Sequence, residues 1–206
     1  MKNWLIALAA VAAIGSTGAA FAQQADAAAG KQKAAVCGAC HGPDGNSANP
    51  EWPSLAGLGE RYIAAQLTAF KKGERNDPLM SPQAQPLSEQ DIRDLAAYFA
   101  TQTMKPGEAD ESLVKAGEQI YLGGIPAKGV PACAACHGPA GAGNAPSAYP
   151  RIGGQQAVYL AKQLQAYRAG TRTTDPNRMM RDIAGKLSDE EIKAVASYAN
   201  GLYRRQ

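Results

Sequence analysis

All four cysteines and both histidines of this 206-residue chain fall in two six-residue stretches, CGACHG at 37–42 and CAACHG at 133–138. The copies lie 96 positions apart and belong to a longer repeat. WPSLAGLGERYIAAQLTAFKKGER (52–75) matches YPRIGGQQAVYLAKQLQAYRAGTR (149–172) at an offset of 97. LSEQDIRDLAAYFA (87–100) matches LSDEEIKAVASYAN (187–200) at an offset of 100. Offsets that drift so little over such a length mark a tandem domain duplication. Each half must therefore fold the same way around one Cys-Cys-His cluster.

Both halves read as helical. Ile63, Leu67 and Phe70 recur at helical spacing, as do Leu160, Leu164 and Tyr167. Ser88 with Asp91, and Ser188 with Glu191, predict capping boxes ahead of the apolar stripes Ile92, Leu95, Ala96, Phe99 and Ile192, Val195, Ala196, Ala199. A shorter helix is expected before each cysteine motif, around 26–36 and 112–122. Strand alternation is absent, so the predicted class is all-α. The polar stretch 101–112, with Pro106-Gly107, reads as a junction and places the linker at 104–112, between domains at 23–103 and 113–206. The second half alone carries a Gly/Pro-rich insertion, GGIPAKGVPA, at 123–132.

Three chemistries compete for the motif. A disulfide framework or a redox C-x-x-C needs no adjacent histidine, and a thioredoxin-like fold needs strands. Structural zinc takes four ligands, whereas each copy offers three, with the histidine next to a cysteine. Covalent haem attachment uses all of them: two thiols add to the macrocycle edge and the following imidazole meets the iron. One helical turn brings Cys37 and Cys40, or Cys133 and Cys136, to one edge, with His41 or His137 at the metal. Two covalent haem c groups follow. They also answer a packing problem. Aromatic residues are 6% of the chain, and small cores poor in large side chains need an additional apolar centre.

With both histidines used, the sixth iron ligand must be something else. Met80 lies seven residues before Leu87, and Met180 lies seven before Leu187. The matched register selects Met80 and Met180 over Met179, while Met104 has no partner in the repeat and reads as packing at a helix end. A methionine is more often core filler; here recurrence at one register favours ligation. Thioether opposite imidazole raises the reduction potential and leaves no open coordination position. That favours single-electron transfer over bond chemistry.

The N-terminus, MKNWLIALAAVAAIGSTGAAFAQQAD, has a basic start, an apolar run too short to span a bilayer, and small residues ending at Ala22. It reads as a signal peptide over 1–22, so the mature protein is expected to be exported. A formal charge of +3 gives no basis for nucleic-acid binding. Residues 23–103 hold seven Lys/Arg and nine Asp/Glu, whereas 104–206 hold thirteen and nine. The chain is thus expected to be a dipole, with Arg168, Arg172, Arg178 and Arg181 as candidates for a basic docking face on the second half.

On the two CxxCHG motifs, on P-x-[LI]-x-G at 53–57 and 150–154, and on the Met80 and Met180 loops, the chain resembles the class I cytochromes c, and among them the tandem dihaem cytochrome c4 family. The resemblance covers 23–206. It implies two all-α cytochrome c domains related by a pseudo-twofold, with haem edges near the interface. It implies that the carbonyls of Pro53 and Pro150 accept a bond from the second nitrogen of His41 and His137. It also implies a periplasmic carrier passing electrons from a membrane donor complex towards a terminal oxidase, with peripheral membrane contact as an open option. A cytochrome subunit of a periplasmic dehydrogenase is the alternative, and a haem peroxidase the weaker one, since the repeat supplies a methionine to both irons.

Overall fold

The structure is a computed structural model that describes residues 24–203. The expected leader and its cleavage point lie outside the described residues. The first half contains α1 (Ala27–Lys33), α2 (Ala35–His41), α3 (Glu60–Lys72), α4 (Met80–Ala84) and α5 (Glu89–Thr101). The second contains α6 (Glu111–Glu118), running into a π turn over Gln119–Gly123, then α7 (Ala134–His137), α8 (Ala157–Ala169), α9 (Met179–Ala184) and α10 (Asp189–Gly201). Among the described residues, strand-like pairing is limited to the isolated bridges Ile125–Val130 and Asn144–Tyr149.

Both expected capping boxes form. The Ser88 hydroxyl accepts the Asp91 N–H at 3.1 Å and the Asp91 carboxylate accepts the Ser88 N–H at 2.8 Å. Ser188 and Glu191 repeat this at 3.2 and 2.8 Å. Each box starts a helix whose apolar stripe is buried. The helix expected over 26–36 is instead broken at Ala34, so α2 carries the cysteine motif on a short segment of its own. The bend frees α1 to cross α5 while Ala34 and Cys37 join the first core.

That crossing is close. A Cβ built on Gly30 would lie 2.0 Å from the Asp94 carbonyl oxygen on α5, and one on Gly117 of α6 would lie 2.4 Å from the Ala194 carbonyl oxygen on α10. Backbone cannot yield as a flexible side chain would. Gly30→Ala is therefore expected to cost about 3 kcal/mol by overpacking, while Gly123→Ala, with nothing within 4 Å, stays within about 0.5 kcal/mol. Denaturant melts of the two holoproteins check the contrast.

Polar ties differ between halves. Asp94 is buried and accepts from the Asp26 N–H at 2.9 Å, Gln90 Nε2 at 2.7 Å and Lys33 Nζ at 2.9 Å. Lys33 also pairs with Asp91 at 2.6 Å, and this ammonium, with the Ser88 hydroxyl and N–H, holds the Asp91 carboxyl below the usual range. In the second half the insertion supplies the matching cation: Lys128 meets Glu191, the register mate of Asp91, at 2.7 Å. Two backbone bonds between Ile125 and Val130, of 2.8 and 3.1 Å, close the insertion into a small loop. Val130 inserts beside Leu187 and Ile192. The insertion is thus a packed brace. Met104 is buried in the first core, as its helix-end position suggested.

Candidate haem-binding sites

Each histidine ends a short helix, and a glycine turns the chain away from it. At Gly42, φ is +82° and an added Cβ would meet the Asn46 carbonyl oxygen at 2.1 Å, so only glycine fits. The loop then doubles back. The Gly45 carbonyl accepts the N–H groups of Leu55 and Ala56 (2.6 and 3.0 Å), and the Gly141 carbonyl accepts those of Ile152 and Gly153 (2.8 and 2.9 Å). This closure carries the proline carbonyls to the imidazoles. His41 Nδ1 lies 2.8 Å from the Pro53 oxygen, and His137 Nδ1 lies 2.9 Å from the Pro150 oxygen.

A carbonyl only accepts, so Nδ1 carries the proton in both rings and the Nε2 lone pair is left for a ligand. Burial lowers both histidine pKa values, with the carbonyl bond acting partly against it; the neutral, metal-binding form is favoured. Cys37 and Cys133 are half-buried against the cores of their halves. Burial pushes the Cys133 thiol up to about 11 and raises Cys37 as well. Cys40 and Cys136 are exposed, and all four cysteines are unpaired. Among the described residues no three of His, Cys, Asp and Glu converge as a metal cluster. Two free thiols one turn apart beside an imidazole with its Nε2 unengaged fit a covalently held haem.

Met80 begins α4, where Asp77 Oδ1 accepts the N–H groups of Leu79 and Met80 at 2.9 and 3.0 Å. Met180 lies in the first turn of α9, where both Asp175 oxygens hold Arg181. Both methionines are half-buried. Met179 is engaged separately: its sulfur accepts from Tyr149 Oη at 3.8 Å, and the Tyr149 ring centroid is 6.5 Å from that of His137.

The reading of the sequence missed the seam between the halves. Arg75 donates to Gln66 Oε1 of its own half at 2.7 Å, and to Tyr159 Oη and Gln163 Oε1 of the other at 3.1 and 2.9 Å. Arg172 mirrors it, donating to Gln163 Oε1 at 2.9 Å and to Tyr62 Oη and Gln66 Oε1 at 2.9 Å each. Each guanidinium also stacks on an aromatic ring, Arg75 on Phe70 at 4.5 Å and Arg172 on Tyr167 at 4.6 Å. Burial alone would raise the Tyr62 pKa, but Arg172 and Arg75 outweigh it and the net shift is downward. The available signal was the repetition of Tyr62, Gln66 and Arg75 as Tyr159, Gln163 and Arg172, polar positions that the apolar stripe does not explain.

This corrects the expected docking face. Arg172 is 5% exposed and belongs to the seam. Arg168 is turned to the Leu187 carbonyl and Asp189, and Arg181 to Asp175. Arg178 is mostly exposed and lies 3.4 Å from Asp182.

The polar stretch between the halves is tied to each of them. Asn46 accepts the Lys105 N–H at 2.8 Å and donates to the Thr103 carbonyl at 3.0 Å, while the Gly107 N–H reaches the Asn200 carbonyl at 3.2 Å.

A family model described as Cytochrome c matches twice, over residues 27–103 and 114–202. Cytochrome c4 of Azotobacter vinelandii is 52% identical over 200 residues, covering 92% of this chain and 95% of that protein. A thiosulfate dehydrogenase electron acceptor of Thiomonas intermedia is 39% identical, covering 91% of this chain and 88% of its own. The crystal structure of reduced recombinant cytochrome c4 from Pseudomonas stutzeri superposes with a TM-score of 0.85 at 47% identity, covering 87% of this chain and 100% of that one.

Proposed function

The chain belongs to the cytochrome c family, as a dihaem electron carrier of the tandem cytochrome c4 type, and from that premise we propose that it works in the periplasm, carrying electrons from a membrane donor complex towards a terminal oxidase. Its domains are 23–103 and 113–206, joined by 104–112, after removal of 1–22. Cys37 and Cys40 would hold one haem c and Cys133 and Cys136 the other, with His41 and Met80, and His137 and Met180, as the side chains that would bind the two irons. When bound, each haem supplies an Fe(III)/Fe(II) couple that exchanges one electron.

The protein's part is to bind, orient and shield. The carbonyls of Pro53 and Pro150 fix each imidazole in the Nδ1–H tautomer, which aims Nε2 and increases its basicity. Met80 and Met180 would each supply a thioether to the iron of their half, a ligand that favours Fe(II) and would keep exogenous ligands out. The observation that carries this reading is the twice-built imidazole–carbonyl pair at 2.8 and 2.9 Å beside unpaired thiols.

A second reading rests on the 39% identity to the Thiomonas intermedia electron acceptor: the cytochrome accepts electrons from a periplasmic dehydrogenase such as one oxidising thiosulfate. Stopped-flow mixing separates them. Rapid oxidation of the reduced holoprotein by oxidase-containing membranes supports the first. Rapid reduction by a thiosulfate dehydrogenase, with no oxidation by such membranes, replaces it with the second.

A further inference from the structure

The peptide that binds His41 is itself held from the other half. The Pro53 carbonyl and the Ser54 N–H are the two ends of one amide plane. The carbonyl accepts from His41 Nδ1 at 2.8 Å, and the N–H donates to Gln155 Oε1 at 2.8 Å. Gln155 Nε2 in turn donates to the Ser54 carbonyl at 2.7 Å. The amide orientation is therefore fixed by its partners, one a donor and one an acceptor. Gln155 is 2% exposed, its oxygen also takes the Gln156 N–H at 3.0 Å, and its backbone carbonyl is held by Asn200 Nδ2 at 2.8 Å.

A continuous line of hydrogen bonds thus runs from Gln155 through the Pro53–Ser54 peptide to the His41 ring. Bonds in series polarise one another, and more so in a low-dielectric interior. Drawing the Ser54 proton towards Gln155 makes the Pro53 oxygen a stronger acceptor, which gives His41 more imidazolate character. A more electron-rich ligand favours Fe(III). The register mate of Gln155 is Leu58, an aliphatic side chain buried in the first core, so the first half carries no amide side chain at the matching position.

We propose that Gln155, on the second domain, is a positioning residue for His41 on the first, and that its bond to the Ser54 N–H holds the reduction potential of the first haem below its value without that bond. The proposal rests on the reading of His41 as an iron ligand.

The test uses the full-length holoprotein as wild type, Gln155→Met and Gln155→Glu. Methionine keeps the volume and removes the polar ends; glutamate keeps an acceptor and makes it stronger. Both midpoints are titrated spectroelectrochemically and assigned through the haem methyl resonances. The ring protons of the two histidines are followed by paramagnetic NMR. Gln155→Met is expected to raise the first midpoint, leave the second unchanged and move only the His41 Nδ1–H resonance towards a weaker hydrogen bond. Gln155→Glu is expected to lower the first midpoint by more than the second. Equal displacement of both midpoints, displacement of the first in the same direction by both variants, or none, overturns the relay. Absence of hyperfine shift on the His41 ring in the wild-type ferric protein overturns instead the ligand assignment beneath it.

Discussion

Replacing Met180 by histidine is expected to lower the reduction potential of the second haem by a large share of the ~0.8 V range that axial ligands command. Met179→Ala leaves it in place. The asymmetry is the point of the experiment, because the two methionines are adjacent. Met180 stands seven residues before Leu187, as Met80 stands before Leu87. Leu187 packs with Ile192 in the second core and Leu87 packs against the first, so this register ties each methionine to a buried anchor. The Met179 sulfur is already engaged by Tyr149. A thioether holds iron in the reduced state more strongly than an imidazole does, so the exchange moves the potential down. Loss of the weak ferric charge-transfer band of methionine-bound iron, for the second haem alone, is the accompanying optical result. A fall produced by Met179→Ala in place of Met180→His would assign the bond to the other sulfur.

Arg172→Glu is expected to destabilise the holoprotein by roughly 3–5 kcal/mol, the scale for leaving a buried charge without its partners. The substituted carboxylate would face Gln66 Oε1 and Gln163 Oε1, which have only acceptor capacity at those atoms, as well as the Tyr62 oxygen. Arg178→Glu serves as the comparison. Its side chain is 62% exposed and its neighbour is Asp182 at 3.4 Å, so reversal costs about 0.5 kcal/mol. Calorimetric unfolding of the two variants measures the difference. A docking face made of both arginines would respond in partner binding with little change in stability for either; a structural seam responds in stability at Arg172 alone.

The features of the site legible in the sequence share one physical property: their signal is local or is repeated in register. The spacing of Cys37, Cys40 and His41 fits within a helical turn. The capping boxes at Ser88 and Ser188 span four residues each. The preference for Met180 over Met179 comes from counting back from a leucine, and the titration of Met180→His against Met179→Ala decides it. The break at Ala34 was not legible, because residues 31–37 hold no glycine or proline to mark it; it shows only in the packing, where Ala34 and Cys37 turn into the first core. Arg172 was misread because a cation counted in a sequence carries no statement of its burial. Gln155 and Ser54 lie about a hundred positions apart, and no pattern along the chain joins a glutamine to the peptide behind a histidine. Lys128 was hidden for a related reason, since its insertion has no counterpart in the first half against which to read it.

The exchange of Arg75 and Arg172 across the seam has an implication for how such a chain is assembled. Each half presents the same tyrosine, glutamine and arginine, and each arginine reaches the other half's pair, so the contact is isologous in the manner of a two-fold homodimer. A single domain bearing that face would associate with its own copy to a degree set by dilution. Joining two copies through a short tether raises their effective concentration into the millimolar range for short flexible linkers, and the pair stays formed at any abundance of the protein. Once the partner is always present, the two faces are free to diverge, and a Leu58 can stand where its opposite number is a Gln155.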